Sequence, residues 1–203
     1  MPSRRLLLLV LLSCLGPVAL PAPGGAEVYL SRKEAIAEAF PEAERVEERT
    51  VILDDAQARA VESLARTPLE SRLVTIYEGR ADGGVTGYAF IDVHTVRTLP
   101  EAFLVVVSPE GEVAQLRLLA FYEPPEYAPA EGWLAQFDQR RLDDRLRLGG
   151  EIHGIAGATL SSRAVTGGVR RALALFEVVV QGRTDAGSGD LAEHGAGLPP
   201  GGR

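Results

Sequence analysis

Two short connections constrain this chain more than anything else in it. Ala81-Asp82-Gly83-Gly84 and Ser108-Pro109-Glu110-Gly111 each separate two apolar, strand-like runs. Connections this short cannot cross a sheet face, so they join antiparallel neighbours. In the first, Asp-Gly supplies positive φ at little cost; the second has the Pro and Gly positions of a type I turn. Leu73 to Glu78, Val85 to Val93, Phe103 to Val107 and Glu112 to Phe121 therefore read as strands of a meander.

Helix signals surround the meander. Ser31-Arg32-Lys33-Glu34 is a capping box opening a short helix that ends near Pro41. Asp54, with Gln57 three residues on, opens a second that runs to about Arg66 and is stopped by Pro68. Arg45 to Leu53 reads as a strand between them. Tyr122 to Pro129 holds three prolines and reads as an ordered loop or extended arm, followed by a helical turn over Trp133 to Phe137. From Ser161 to Val180, residues Val165, Val169, Leu173, Phe176 and Val180 give one apolar helix face. Gly167-Gly168 weakens its propensity, and Arg170 and Arg171 are expected on its outer face. The expected fold class is α+β, a curved antiparallel sheet with helices packed on it.

Residues 1–26 read as a processing segment. Arg4 and Arg5 precede an apolar run from Leu6 to Leu12, and Gly24-Gly25-Ala26 offers small residues for cleavage. Gly16 and Pro17 break the run, which makes a spanning anchor a poorer reading. Leu11-Leu12-Ser13-Cys14 is a loose lipobox, ranked below plain export. The expectation is an exported, periplasmic or extracytoplasmic chain, with residues 27–181 forming the domain and 182–203 a flexible Gly- and Pro-rich tail. Cleavage after Ala26 removes two arginines and no acid, taking the net charge from -7 to -9. It also removes Cys14, the sole cysteine, and with it any disulfide, thiolate metal site, cysteine-ligated iron–sulfur cluster or C-x-x-C-H haem attachment. An acidic chain is also poorly suited to nucleic acid.

The segment that carries chemistry is Ile152-His153-Gly154-Ile155-Ala156-Gly157-Ala158-Thr159-Leu160-Ser161-Ser162. Small residues bring backbone close to a ligand, and a hydroxyl stands at the start of a helix. The first helical amides, placed around Ser161 to Arg163, lack intrahelical acceptors and favour an anion such as phosphate. Thr159 or Ser161 acting as a plain helix cap explains the same residues. A Thr or Ser nucleophile with His153 as base is a third reading, carried by two elements only.

Gly157-Ala158-Thr159-Leu160-Ser161-Ser162, followed by Ala164-Val165 and Val169-Arg170-Arg171-Ala172-Leu173, resembles the FMN-binding domain family. That family includes the covalently flavinylated subunits of the sodium-translocating NADH:quinone reductase and of the Rnf electron-transport complex. Its motif is Asp, two variable residues, Ser or Thr, then Gly-Ala-Thr. Trp133-Leu134-Ala135-Gln136-Phe137 is similar to the family's W-x-x-x-F segment, and Glu123-Pro124-Pro125 stands near its Glu-Thr-Pro-Gly. The resemblance covers about residues 73–180. It implies FMN as cofactor, held by Gly157, Ala158, Thr159, Leu160, Ser161 and Ser162, with His153, Glu123, Tyr127 and Arg97 as further cofactor-binding candidates, His153 facing the phosphate, and with Thr159 receiving a phosphoester bond from a flavin transferase. His153 stands where the family has Asp, and Ala156 where it has Ser or Thr; both departures bear on covalent attachment more than on binding.

The resemblance further implies an electron carrier whose partner is a redox protein or a membrane electron-transport complex. No G-x-G-x-x-G nicotinamide fingerprint is present. A binding or sensory module without covalent flavin, and a stand-alone flavin reductase, are the alternatives. His94, Thr95 and Arg97 follow a strand end; Arg97 would meet phosphate or reduced flavin, or else form a surface salt bridge. Tyr127 would stack on the ring. Trp133 and Phe137 would flank it or serve as core aromatics.

Overall fold

The computed structural model describes residues 27–182. The expected processing segment lies outside the described residues, as does the expected tail from residue 183 on. Six antiparallel strands form one sheet: β1 (Glu27–Val28), β2 (Arg45–Ile52), β3 (Leu73–Ala81), β4 (Gly84–Thr95), β5 (Pro100–Val107) and β6 (Val113–Phe121). Their order is β1-β6-β5-β4-β3-β2, so β3 to β6 are the meander that the two turns demand. In the first turn Asp82 and Gly83 both take positive φ, 50° and 77°. That is the twist-matched hairpin geometry expected of Asp-Gly. In the second, Gly111 donates to the Ser108 carbonyl at 3.0 Å.

Helices cover both faces of the sheet. α1 (Arg32–Ala39) and α2 (Asp55–Ala65) each start in a complete capping box, from Ser31 with Glu34 and from Asp54 with Gln57. α2 stops at Arg66, which adopts the left-handed conformation. α3 (Glu131–Leu134) is a single turn continued by the 3₁₀ turn Ala135–Phe137. α4 (Thr159–Leu175) is the longest helix and ends in a wide turn over Phe176–Val180. The alternation of strand side chains divides the core in two. Phe103, Val105 and Val107 pack beneath α2 and α4, while Leu104 and Val106 pack beneath α1. β1 adds only two residues to the β6 edge.

Arg170 and Arg171 correct one expectation. Both are buried, not on the outer face of α4. The Arg170 guanidinium donates to the Leu64 and Ala65 carbonyls at 2.8 and 2.7 Å, at the C-terminal end of α2. It also donates to the Asp143 and Leu146 carbonyls at 2.7 and 3.0 Å. A cation at a helix C-terminus meets carbonyls that lack intrahelical donors and the favourable end of the dipole. The apolar-face pattern missed this because it reads any charged residue as outward-facing.

Candidate functional site

The motif segment begins as a tight turn. The Ala158 amide donates to the Ile155 carbonyl at 3.1 Å, and Gly157 between them has φ +79°. A side chain would find open space there, so it is the backbone angle that calls for glycine. Ser162 fastens this turn to α4. Its Oγ accepts from the Ile155 amide at 2.9 Å and donates to the Ala158 carbonyl at 3.0 Å.

Neither Thr159 nor Ser161 caps the helix. The N-cap is Ala158, with φ -123°, and no side chain satisfies the first turn. The first intrahelical bond runs from the Ser162 amide to the Ala158 carbonyl. The free donors are therefore the amides of residues 159–161, two positions earlier than the sequence reading placed them. Their residues line a cavity of about 230 Å³ together with Val96, Arg97, Glu123, Tyr127, Gly157 and Ala158. The site thus gathers Gly157, Ala158, Thr159, Leu160, Ser161, Arg97, Glu123 and Tyr127. Ser162 stands behind it as a fastener. Thr159 and Arg97 are exposed, while Leu160 and Tyr127 present 47% and 37% of their surface.

Glu123 acts on the opposite wall. Its Oε1 accepts from the amides of Arg97, Thr98 and Leu99 at 3.2, 2.7 and 2.9 Å. The Thr98 and Leu99 amides hold this carboxyl below its usual range. Glu123 therefore ties down the backbone of the 96–99 hairpin.

His153 lies outside the cavity, and no hydrogen bond joins its ring to Thr159. Its backbone amide donates to Gln136 Oε1 at 2.9 Å, and its carbonyl accepts from Trp133 Nε1 at 2.6 Å. Trp133 packs against the core and meets Phe137, itself fully buried, edge-on at 5.4 Å. The Trp133 to Phe137 segment therefore holds the approach to the motif and does not line the cavity.

The sequence reading missed a buried ionic chain behind the 96–99 hairpin. His94 is inside β4 and buried, not in a loop after it. The Arg171 guanidinium grips Asp92 with both arms, at 2.8 and 2.7 Å. Asp92 Oδ2 lies 2.5 Å from His94 Nδ1, and His94 Nε2 lies 2.8 Å from Glu101 Oε1. Glu101 is 0% exposed, and its Oε2 has no partner. Burial works to lower the His94 pKa, but the Asp92 and Glu101 hydrogen bonds outweigh it and raise it to about 9. Burial also works to raise Asp92, and its His94 and Arg171 bonds hold it below its usual value instead. Burial pushes Glu101 up, partly offset by His94. Gly168 makes room for the chain: a Cβ there would stand 2.6 Å from Asp92 Oδ2. The signal available in sequence was the two-residue spacing of Asp92 and His94 with Phe90, which puts all three on one strand face.

Residues 100–174 match the family model of the FMN-binding domain. No curated protein matches the chain.

Proposed function

We propose that this chain, which carries an FMN-binding domain over residues 100–174, is an exported flavoprotein that passes electrons between partners. FMN is the cofactor this domain takes, and it supplies the one- or two-electron chemistry once bound. The residues around the cavity suit the phosphate of that cofactor. The uncapped first turn of α4 offers amides and the positive end of a dipole, and Thr159 offers a hydroxyl beside them. This turn, left without a side-chain cap and opening into a cavity, is the observation that carries the reading. At about 230 Å³ the cavity is smaller than the roughly 300 Å³ that begins the range for enclosed drug-sized ligands. It holds one end of FMN, and the remainder belongs at the open mouth by Leu160 and Tyr127. Arg97, one positive charge at the rim, favours an anionic ligand.

Covalent attachment at Thr159 is the stronger form of the proposal. A second form, FMN held without a covalent bond, is favoured by His153, which stands at the motif's Asp position with its backbone tied to Trp133 and Gln136. In-gel fluorescence after full denaturation separates the two. The chain is co-expressed with a flavin transferase, with Thr159→Ala beside it. A fluorescent band lost in the variant establishes the phosphoester. A dark band from a yellow native protein establishes non-covalent FMN. A colourless protein under these conditions overturns both and leaves the binding or sensory module. Electron delivery by a redox protein or membrane complex is tested by reduction of the loaded protein with candidate donors, and export by N-terminal sequencing of the secreted chain.

A further inference from the structure

The hairpin that walls the cavity stands on a base the cavity itself does not touch. Residues 96–99 join β4 to β5, and directly below them His94 pairs with Glu101 across the two strands. His94 links Glu101 to Asp92, and Asp92 is held by both arms of Arg171. Arg171 belongs to α4, whose first turn is the opposite wall of the cavity. The two walls are thus joined behind the cavity by four side chains in unbroken contact. Glu123, which fixes the amides of 97–99, acts electrostatically on Glu101 at the far end of the chain.

We propose that Arg171, Asp92, His94 and Glu101 are positioning residues that act as one strut, setting the 96–99 hairpin against the first turn of α4, with the His94 imidazolium as its openable link. Every group facing His94 is in place for this: Asp92 from β4, Glu101 from β5, Arg171 from α4, and the Phe103 ring stacked at 5.9 Å. An imidazolium donates from both nitrogens and so satisfies both carboxylates. A neutral imidazole keeps one N–H. Arg171 Nη2 lies 3.3 Å from Nδ1 and is placed to donate to it. The neutral ring therefore keeps Glu101 through Nε2 and releases Asp92. The strut is closed at neutral pH and opens as pH rises towards and past 9.

The binding arm of the test rests on the cavity being the FMN site; the other arm does not. Amide shifts of Arg97, Thr98 and Leu99 are followed by NMR in the ligand-free protein from pH 6.5 to 10, together with the His94 ring signals. FMN dissociation constants are measured by fluorescence quenching at pH 7 and 9.5 for wild type, His94→Gln and Glu101→Gln. The strut predicts that the hairpin amides shift with the His94 midpoint, and that Glu101→Gln, which keeps an acceptor but loses an anion, moves that midpoint down. It predicts His94→Gln binding about tenfold weaker at pH 7 with no further loss, and wild-type binding about threefold weaker at pH 9.5, where roughly three quarters of His94 is neutral. Comparing variant with wild type at each pH cancels the titration of FMN itself. A merely structural histidine would lower the melting temperature and leave the hairpin amides and the pH profile alone. Hairpin amides that ignore the His94 titration overturn the strut. So does a folded His94→Gln with the wild-type constant and profile. If His94→Gln does not fold, the wild-type titration and Glu101→Gln decide. If wild type binds no FMN, the proposed function fails, while the amide titration still decides the strut.

Discussion

The two ends of α4 do opposite things with the same kind of chemistry. At its first turn the polar groups are backbone amides left open to a cavity, with no side chain to cap them. Three turns on, Arg170 and Arg171 are buried and spend their donors on protein acceptors. A helix that reserves its N-terminus for an anion forgoes the roughly 1 kcal/mol of an N-cap side chain. Here the helix is secured further along, by Arg170 on the carbonyls of α2 and by Arg171 on the β4 carboxylate. Fastening and the open, cavity-lining turn are separated along one element.

Breaking the buried end should cost far more than altering the open one. Arg171→Met leaves Asp92 buried without its guanidinium and should destabilise the fold by about 3–5 kcal/mol in urea unfolding. Adding Asp92→Leu to Arg171→Met should return much of that loss, because two apolar groups replace a broken pair. If the double variant is no more stable than the single, the ionic chain is not acting as a pair.

The adjacent glycines sharpen the same contrast. Gly168→Ala places a Cβ against Asp92 Oδ2 and should cost about 1–3 kcal/mol despite its gain in helix propensity. Gly167→Ala makes only ordinary contacts, Thr67 Oγ1 at 3.4 Å and Arg171 Nη1 at 3.8 Å, and should be neutral or stabilising by about 0.5 kcal/mol. Thermal melts of the two single variants distinguish them directly.

His94 makes the buried end sensitive to pH. Its folded pKa, about 9, is above the ordinary histidine value of 6.5. The folded state therefore binds the proton more tightly than the unfolded state. The stability this gives is fully present below pH 6.5 and declines as pH rises through 9. Wild type should lose melting temperature across that window, and His94→Gln should show a flatter profile. The smallest effect belongs to the open end. Thr159→Ala removes an exposed hydroxyl that caps nothing and should change stability by less than about 0.5 kcal/mol, while abolishing any phosphoester. A large loss of stability in that variant would mean the first turn is fastened by Thr159 after all.

Much of the architecture was legible in the sequence, because local chemistry specified it. Ser31 with Glu34, and Asp54 with Gln57, encode helix starts by reciprocal hydrogen bonds within four residues. Asp82-Gly83 and Ser108 to Gly111 encode hairpins through backbone angles. The FMN-binding domain and its cofactor were also within reach, through the Gly-Ala-Thr segment. These are short-range rules or a recognisable motif.

What only the tertiary structure decided are the long-range partnerships. Arg170 and Arg171 contradict the polar-outward pattern because their acceptors lie on other elements: Leu64 and Ala65 about a hundred residues upstream and Asp143 and Leu146 about twenty-five for Arg170, and Asp92 about eighty for Arg171. The sequence pattern scores a residue's polarity but not the acceptor that makes its burial affordable. His94 and Glu101 gain their roles from β4–β5 register, and Gly168 from a carboxylate on another element. The sequence determined which groups were present and how each local segment folds. Packing determined which charges could leave water, because a buried charge is tolerated only where the fold brings a partner to it.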